Sequence, residues 1–215
     1  MSRNSKTPIY LAVFASGRGS NLQSIIDSIE HGKLNARIRI VLSNNSNAGA
    51  LERAKKYGIP AVHLSHKMFE TESEFENHLL KLLSDLDVEL ICLAGYMKKL
   101  GLKTIETYRN RIINIHPALL PLFGGKGMYG MAVHEAVIKS GMKITGVSVH
   151  LCDEEYDTGA IITQRAIPLN EEDTPDSLAK RVLQVEHQLY PETIQLFAEN
   201  RVHIEDRKVK ILPPL

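Results

Sequence analysis

The feature that most constrains the fold is a series of short apolar segments that alternate with segments of helical periodicity. Five of these apolar segments, at residues 9–15, 38–42, 61–64, 90–94 and 112–115, lie in the first 115 residues. Strands that are apolar throughout are typical of a parallel sheet with both faces covered by helices. We therefore predict an α/β fold with a Rossmann-like open sheet, mostly parallel, and helices on both faces.

Amphipathic helices are predicted to follow or separate these strands. In residues 21–30, Leu22, Ile25, Ile26 and Ile29 recur at the spacing that places apolar side chains on one helix face. Helical character is also predicted between the fourth and fifth strands and in four further segments, residues 47–57, 72–86, 131–139 and 174–198.

The pattern changes after Pro117. Residues 145–151 and 161–167 have the composition of two strands with no helix between them, which predicts a hairpin-like antiparallel addition to the sheet. No internal repeat, low-complexity segment or linker interrupts the chain. A single domain over residues 1–215 is therefore predicted, which is long enough for one continuous core.

Composition and charge exclude several classes of partner. The formal net charge is +1, which argues against nucleic-acid binding but leaves room for a local basic pocket. No apolar run approaches the roughly 18 residues of a membrane span, and the polar residues 1–8 do not resemble a secretory signal. The two cysteines, Cys92 and Cys152, have no metal-ligand spacing, and Cys92 is expected to be buried. These features predict a cytoplasmic protein without nucleic-acid or membrane partners.

The loop after the first strand has the sequence Ser-Gly-Arg-Gly-Ser-Asn at residues 16–21. Glycines there allow backbone amides to approach a ligand, and the following helix N-terminus favours a phosphate. No Gly-Lys-Ser/Thr follows, and Ser43-Asn44-Asn45 occurs where a dinucleotide site would place an acidic residue, so a smaller phosphorylated ligand is favoured. A plain tight turn with a Ser or Asn helix cap is the alternative.

Asn114 and His116 are two residues apart at the end of the fifth predicted strand, so their side chains share one face. Pro117 ends the strand and places His116 at the carboxyl edge of the sheet, where open α/β sheets bind ligands. An amide beside an imidazole can stabilise an oxyanion and move protons near neutral pH. A structural histidine that caps a turn is the alternative.

Two later residues can join this pair. His150 lies near the end of the strand at residues 145–151 and either reaches the same edge or is structural. Asp157, in a loop with Gly159, would raise the pKa of His116 if the two were adjacent, although an isolated loop carboxylate is the alternative. Five other histidines, His31, His63, His66, His78 and His203, are expected at the surface or at helix ends, and the acidic run at residues 70–76 is expected to be a solvated helix face.

Taken in order, these motifs resemble the phosphoribosylglycinamide formyltransferases, the folate-dependent enzymes of purine biosynthesis. The resemblance covers nearly the whole chain. It rests on residues 16–21, on Asn-Ile-His-Pro-Ala-Leu-Leu-Pro at 114–121, and on Thr-Gly-Val-Ser-Val-His at 145–150 before Asp157 and Gly159. Gln-Val-Glu-His at 184–187 and the pair Tyr190-Pro191 also fit the family.

The resemblance implies a formyltransferase fold, 10-formyltetrahydrofolate as co-substrate and phosphoribosylglycinamide as formyl acceptor. It implies small-molecule partners only, no metal, and a monomer or homodimer. It also implies a phosphate-binding half at about 1–110 and a catalytic, folate-binding half at about 111–215. By position it assigns catalysis to Asn114, His116 and Asp157, substrate binding to Gly19, Ser20, Asn21 and Glu186, and folate binding to Met97, Lys98, Lys99, Leu100 and Asn114.

Two positions differ from the common family pattern, and one loop is found only in part of the family. Glu72 and Leu183 stand where a basic folate-tail contact and a polar substrate contact, respectively, are common. The glycine-rich loop at residues 124–130 occurs only in a subset of the family, and its Lys126 is a further candidate for phosphate binding.

Three alternative functions stay open. A methionyl-tRNA formyltransferase is expected to carry a basic C-terminal domain, and a formyltetrahydrofolate hydrolase an N-terminal regulatory domain, and neither is expected in a chain of 215 residues. A non-catalytic Rossmann-type nucleotide-binding module would explain the glycine loop, but it would leave Asn114, His116 and Asp157 without a role.

Overall fold

The computed structural model describes residues 7–214. The strands are β1 (Ile9–Phe14), β2 (Ala36–Ser43), β3 (Ala61–His63), β4 (Leu90–Leu93), β5 (Ile112–His116), β6 (Ile144–Leu151), β7 (Ile161–Pro168), β8 (Val202–Glu205) and β9 (Lys208–Ile211). The α-helices are α1 (Ser20–Glu30), α2 (Gly49–Lys56), α3 (Glu72–Asp85), α4 (Leu102–Thr107), α5 (Met131–Lys139) and α6 (Pro175–Ala198), and a short 3₁₀ helix spans His66–Met68. All the predicted strands and all the predicted helical segments are confirmed.

Strands β1 to β7 form one sheet in the order β3-β2-β1-β4-β5-β6-β7. The pairings from β3 through β5 are parallel. β6 pairs antiparallel with β5, and β7 pairs antiparallel with β6. The predicted mostly parallel sheet with an antiparallel addition is therefore confirmed.

Helices cover both faces of the sheet. Alternate residues of β1 belong to opposite faces: Leu11 and Val13 pack in a cluster with residues of α1 and α6, whereas Ala12 and Phe14 pack in a cluster with residues of α3. Residues such as these are fully buried, which explains the continuous apolar sequence of the strands. Cys92 belongs to the first cluster and is fully buried, as predicted.

The order of the strands creates a crevice at the carboxyl edge of the sheet. From β1 the chain proceeds outwards to β2 and β3, then returns to place β4 on the other side of β1. Ligands of open α/β sheets bind at such a reversal of strand order. The glycine loop after β1 and the segment after β4 lie there, and the parallel strand β5 brings His116 to the same edge.

The prediction of a solvated acidic face is wrong at Glu76, which is only 7% exposed. Its Oε1 accepts hydrogen bonds from the backbone amide and from the hydroxyl of Thr104, at 2.9 and 3.0 Å, and so ties α3 to α4. Glu76 lies on the same face of α3 as the buried Leu79 and Leu83, three and seven residues later, and this face packs against the rest of the fold.

The two-stranded antiparallel sheet of β8 and β9 is absent from the predicted elements. Each of its strands has four residues, which is too short for alternation of apolar and polar side chains to give a clear signal. Of the five histidines expected at the surface, His31, His78 and His203 are exposed and the other two are half-buried.

Candidate active site

A cavity of about 620 Å³ opens at the carboxyl edge of β1, β4 and β5. Every residue that the sequence predicts for the site lines this cavity: Gly19, Ser20, Asn21, Met97, Lys98, Lys99, Leu100, Asn114, His116, Asp157 and Glu186. The structure thus brings together, in one place, residues from the first helix to the last helix of the chain. Their individual roles stay predictions.

His116 is buried at the end of β5, and both of its ring nitrogens face polar groups. Nε2 lies 2.8 Å from the carbonyl oxygen of Phe123. Nδ1 lies 3.7 Å from Oδ2 of Asp157. Because a carbonyl oxygen can only accept, Nε2 must carry the hydrogen and donate it, which leaves Nδ1 as the nitrogen that faces the carboxylate.

The net shift of the His116 pKa is downward, opposite to the direction expected from the sequence. Burial disfavours the charged imidazolium and is the larger effect. Asp157 raises the pKa of His116, as expected for an adjacent carboxylate, but does not overcome burial. His116 is therefore largely neutral at neutral pH in the protein without ligands, and Asp157 favours its protonation when a proton arrives.

Asn114 contacts His150 on the neighbouring strand. The two are paired in the antiparallel register of β5 and β6, and Asn114 Nδ2 lies 3.1 Å from His150 Nε2. The His150 Nδ1 donates to the Leu151 carbonyl oxygen at 2.8 Å, so in the neutral ring Nε2 accepts the Asn114 hydrogen. This contact orients the Asn114 amide and uses one of its two N–H groups. The second N–H is not used in this contact. His150 thus reaches the same edge of the sheet, one of the two alternatives that the sequence left open, and it is also hydrogen-bonded there.

Asp157 accepts one hydrogen bond and faces two imidazoles. Its Oδ1 lies 3.5 Å from His150 Nε2, and its Oδ2 accepts a hydrogen bond from the amide of Gly125 at 2.9 Å as well as facing His116. Burial raises the pKa of Asp157, but the contacts with His150, His116 and Gly125 outweigh burial and hold the pKa below its usual value. Asp157 is therefore an ionised carboxylate beside two imidazoles.

The glycine loop is shaped by close packing at Gly19. Gly19 is the N-cap of α1, has φ of +76°, and makes no side-chain hydrogen bond to the helix. A Cβ at this position would lie 2.8 Å from Ala50. Both the conformation and the space therefore require glycine. The alternative of a Ser or Asn side-chain cap is wrong, since the cap residue is Gly19.

Glu186 and Asn21 form a buried pair at the other end of the cavity. Asn21 Nδ2 donates to Glu186 Oε2 at 2.8 Å, and Oδ1 of Asn21 is buried without a hydrogen-bond partner among residues 7–214. Burial raises the pKa of Glu186 to about 7, despite the opposing effect of the Asn21 hydrogen bond. A group with donors and acceptors, such as a sugar hydroxyl, could pair with these side chains.

The segment after β4 forms another wall of the cavity. Met97, Lys98 and Lys99 are exposed, whereas Leu100 is buried. Lys99 Nζ lies 3.6 Å from Glu155 Oε1 and 5.9 Å from the centre of the Tyr156 ring, so this wall contacts the loop that precedes Asp157. A hydrogen bond also connects this wall to the glycine loop, since the Met97 amide donates to Ser16 Oγ at 2.8 Å.

The structure places some of the residues that depart from the family pattern in the cavity and one outside it. Leu183 and Lys126 line the cavity, whereas Glu72 does not and instead pairs with His66 at 2.6 Å.

His134, which belongs to none of the sequence motifs, also lines the cavity from α5. It is buried, and its Nδ1 has no hydrogen-bond partner in the described part of the chain. Its position beside Val133 and before Val137, on the buried face of a helix, is the signal that could have identified it.

The described residues contain neither a metal-binding cluster nor a helix suited to a membrane. Among residues 7–214, no group of three or more His, Cys, Asp or Glu side chains is arranged to hold a metal ion. In the same residues, no helix combines the length and apolarity that a membrane crossing needs.

The model of the formyl transferase family matches residues 10–194. Among curated proteins, the phosphoribosylglycinamide formyltransferase of Bacillus subtilis is 38% identical over 184 residues, which cover 86% of this chain and 92% of that protein. The chloroplastic protein of the same name from Vigna unguiculata is 42% identical over 192 residues, 89% of this chain. The matched part spans 62% of the length of the Vigna protein.

Among solved structures, glycinamide ribonucleotide transformylase 1 from Symbiobacterium toebii superimposes with a TM-score of 0.89 at 39% identity. The superposition covers 96% of this chain and 95% of that one. The similarity therefore extends over the sheet, the cavity and the loops that line it.

Proposed function

Because the chain belongs to the formyl transferase family, we propose that it transfers the formyl group of 10-formyltetrahydrofolate to the amine of phosphoribosylglycinamide. The products are formylglycinamide ribonucleotide and tetrahydrofolate, and the reaction is a step of de novo purine biosynthesis. The observation that carries the proposal is the cluster of Asn114, His116 and Asp157 in a cavity that also contains a glycine loop. The names of the relatives support phosphoribosylglycinamide as the formyl acceptor.

The acceptor substrate is proposed to bind between the glycine loop and α6. Gly19, Ser20 and Asn21 begin α1, where backbone amides and the helix dipole favour the phosphate group. Glu186 lies beside Asn21 and is proposed to contact the ribose hydroxyls. This arrangement directs the glycinamide amine towards the residues at the end of β5.

The folate co-substrate is proposed to bind against the wall that follows β4. Met97 offers an exposed apolar surface, and Lys98 and Lys99 offer cations for the anionic tail of the folate. Leu100 closes the wall towards the core, and Asn114 borders the formyl group. The loop at residues 152–157 forms the opposite side of this pocket.

The reaction requires an oxyanion to be stabilised. The free amine attacks the formyl carbon, and the carbonyl oxygen of the tetrahedral adduct becomes negative. Asn114 Nδ2 retains one N–H after its contact with His150, and this N–H is proposed to donate to the oxyanion. Protonation of His116 adds a positive charge nearby.

The reaction also requires a proton to move. The attacking nitrogen loses a proton, and the folate nitrogen must gain one as its bond to the formyl carbon breaks. His116 is proposed to carry this proton on Nδ1, opposite Asp157 Oδ2. Its lowered pKa suits the task, because a largely neutral imidazole can both accept and release a proton near neutral pH.

The whole of residues 1–215 is proposed to act as a single domain on small molecules, in the cytoplasm, as a monomer or homodimer. A formyltetrahydrofolate hydrolase, a methionyl-tRNA formyltransferase and a non-catalytic binding module are the competing functions. The hydrolase would release formate without an acceptor, and a binding module would release neither product.

An absorbance assay for the folate product distinguishes these functions. With phosphoribosylglycinamide and 10-formyltetrahydrofolate both supplied, we expect continuous formation of the folate product. When the ribonucleotide is omitted, we expect the signal to fall to background. Product formation at the same rate without the ribonucleotide would instead indicate a hydrolase, and no product under either condition would contradict the proposal.

A further inference from the structure

One short backbone segment, residues 123–125, contacts both members of the proposed His116–Asp157 pair. The carbonyl oxygen of Phe123 accepts a hydrogen bond from His116 Nε2 at 2.8 Å. Two residues later, the amide of Gly125 donates a hydrogen bond to Asp157 Oδ2 at 2.9 Å. Because these two peptide groups belong to the same segment, they fix the imidazole and the carboxylate relative to each other.

The contact with Phe123 decides which nitrogen of His116 can take up a proton. Nε2 already carries a hydrogen, because its partner is a carbonyl oxygen. An additional proton must therefore bind to Nδ1, which lies 3.7 Å from Asp157 Oδ2. The same carboxylate oxygen accepts the Gly125 hydrogen bond, so the position of that oxygen depends on the direction of the Gly125 amide.

The direction of this amide depends on a backbone conformation that favours glycine. Gly125 has φ of +94°. A Cβ at this position would meet no atom within 4 Å, so lack of space is not the reason for glycine. An L side chain is strained at this φ, whereas glycine adopts it freely. Alanine at position 125 would therefore act through the backbone, and relief of the strain at this φ is expected to shift the flanking peptide groups, including the amide that donates to Asp157.

We propose that Gly125 is a positioning residue for formyl transfer, whose amide holds the Asp157 carboxylate opposite His116 Nδ1. This inference rests on the proposed function, because it assumes that Asp157 and His116 act in the reaction. Two further titratable groups interact with His116: His150 from β6, which also contacts Asp157, and His134 from α5. Neither belongs to the segment that contains Gly125.

Gly125→Ala tests this role, and Gly127→Ala is its matched control. Gly127 lies in the same loop, has φ of +88°, and likewise has open space where a Cβ would lie. The hydrogen bond from the loop to Asp157 Oδ2 comes from the Gly125 amide. We expect Gly125→Ala to lower kcat by about 10- to 100-fold, the range for a lost hydrogen bond to a charged group, with KM for both substrates nearly unchanged. Equal effects of the two substitutions would overturn the inference.

The pKa of His116, followed by NMR, provides a readout that does not depend on turnover. Asp157 raises this pKa, so displacement of the carboxylate by Gly125→Ala is expected to lower it. In an Asp157→Ala background, Gly125→Ala is expected to leave the pKa of His116 almost unchanged, because the carboxylate through which Gly125 acts is absent. Shifts of equal size in both backgrounds would overturn the inference.

The two proposals fail in different ways. If Asp157→Ala alone kept the kcat of the unchanged protein, the proposed function of this site would be wrong and the inference on Gly125 would fall with it. If Asp157→Ala lowered kcat and Gly125→Ala did not, only the inference would fail. Should Gly125→Ala not fold, the unchanged protein supplies the test: the Gly125 amide resonance is expected to shift as His116 titrates, and an unshifted resonance would overturn the inference.

Discussion

Burial moves the pKa values of two cavity residues in opposite directions, and both shifts favour the neutral side chain. It lowers the pKa of His116 and raises that of Glu186 to about 7. The reason is the same in each case, since the charged form loses hydration in the protein interior. The two residues differ in their neighbours: His116 faces the carboxylate of Asp157, whereas Glu186 accepts a hydrogen bond from the neutral Asn21.

The raised pKa of Glu186 predicts a specific dependence of stability on pH. Its pKa in the folded protein lies above the ordinary value of 4.5, so the folded state binds the proton more tightly than the unfolded state. This stabilisation is fully present below about pH 4.5 and is lost as the pH rises towards about 7. Relative to Glu186→Gln, the free energy of unfolding is expected to decline by about 3 kcal/mol between pH 4 and pH 8.

Urea unfolding of the unchanged protein and of Glu186→Gln at several pH values measures the difference between their free energies of unfolding. Glu171→Gln is a suitable control, because Glu171 is exposed and the substitution should leave the pH dependence unchanged. A difference between the unchanged protein and Glu186→Gln that stays constant over this pH range would contradict the assigned shift.

The positions of Asn114 and His116 could be predicted from the sequence because backbone geometry determines them, whereas the role of Asp157 was implied only by the resemblance to the family. A spacing of two residues puts Asn114 and His116 on one face of β5, and Pro117 ends the strand beside them. The sign of the His116 pKa shift could not be predicted, because it depends on how much of the ring is buried. His134 was missed for a related reason: whether a histidine on a helix faces a cavity depends on which elements pack around that helix.

At the scale of elements, polar contacts between helices support the apolar packing that the sequence pattern reveals. Glu76 on α3 accepts two hydrogen bonds from Thr104 on α4. Helix α4 follows the segment that forms the proposed folate wall, so this contact fixes the end of that segment. A sequence pattern assigns Glu76 to the acidic run, and only tertiary structure reveals that it is buried.

Substitution of Glu76 is expected to destabilise the fold. Glu76→Ala leaves the Thr104 amide and hydroxyl without their buried partner, and we expect the free energy of unfolding to fall by about 2 to 3 kcal/mol. Denaturant unfolding measures this change, and Glu70→Ala, at an exposed position of the same acidic run, is the control. Equal stabilities of the two variants would show that the contact between α3 and α4 contributes nothing.

The strands and longer helices could be predicted because each has a long or strong periodic pattern. The continuous apolar runs of β1, β4 and β5 indicated burial on both faces, and the structure confirms it. Strands β8 and β9 were not predicted, because four residues with alternating apolar and polar side chains occur in many loops as well. Their pairing is a property of the folded chain rather than of either segment.

At the scale of the whole molecule, the strand order unites segments from most of the chain around one cavity. The glycine loop follows β1, Asn114 and His116 end β5, Asp157 follows β6, and Glu186 lies on α6. The phosphate site and the folate wall are proposed to lie on either side of the β5 residues. Transfer between two substrates, rather than hydrolysis of one, is the function that such an arrangement favours.

Formyl transfer through His116 is tested most directly by following the formyl carbon itself. With 10-formyltetrahydrofolate labelled with carbon-13 at the formyl group, NMR should show the label moving to the amine of phosphoribosylglycinamide. His116→Ala is expected to slow this transfer by about 10²- to 10⁴-fold, the usual range for loss of a proton-transferring side chain, while the protein stays folded. Appearance of the label as free formate, or transfer at an unchanged rate in the folded His116→Ala protein, would contradict the proposed reaction.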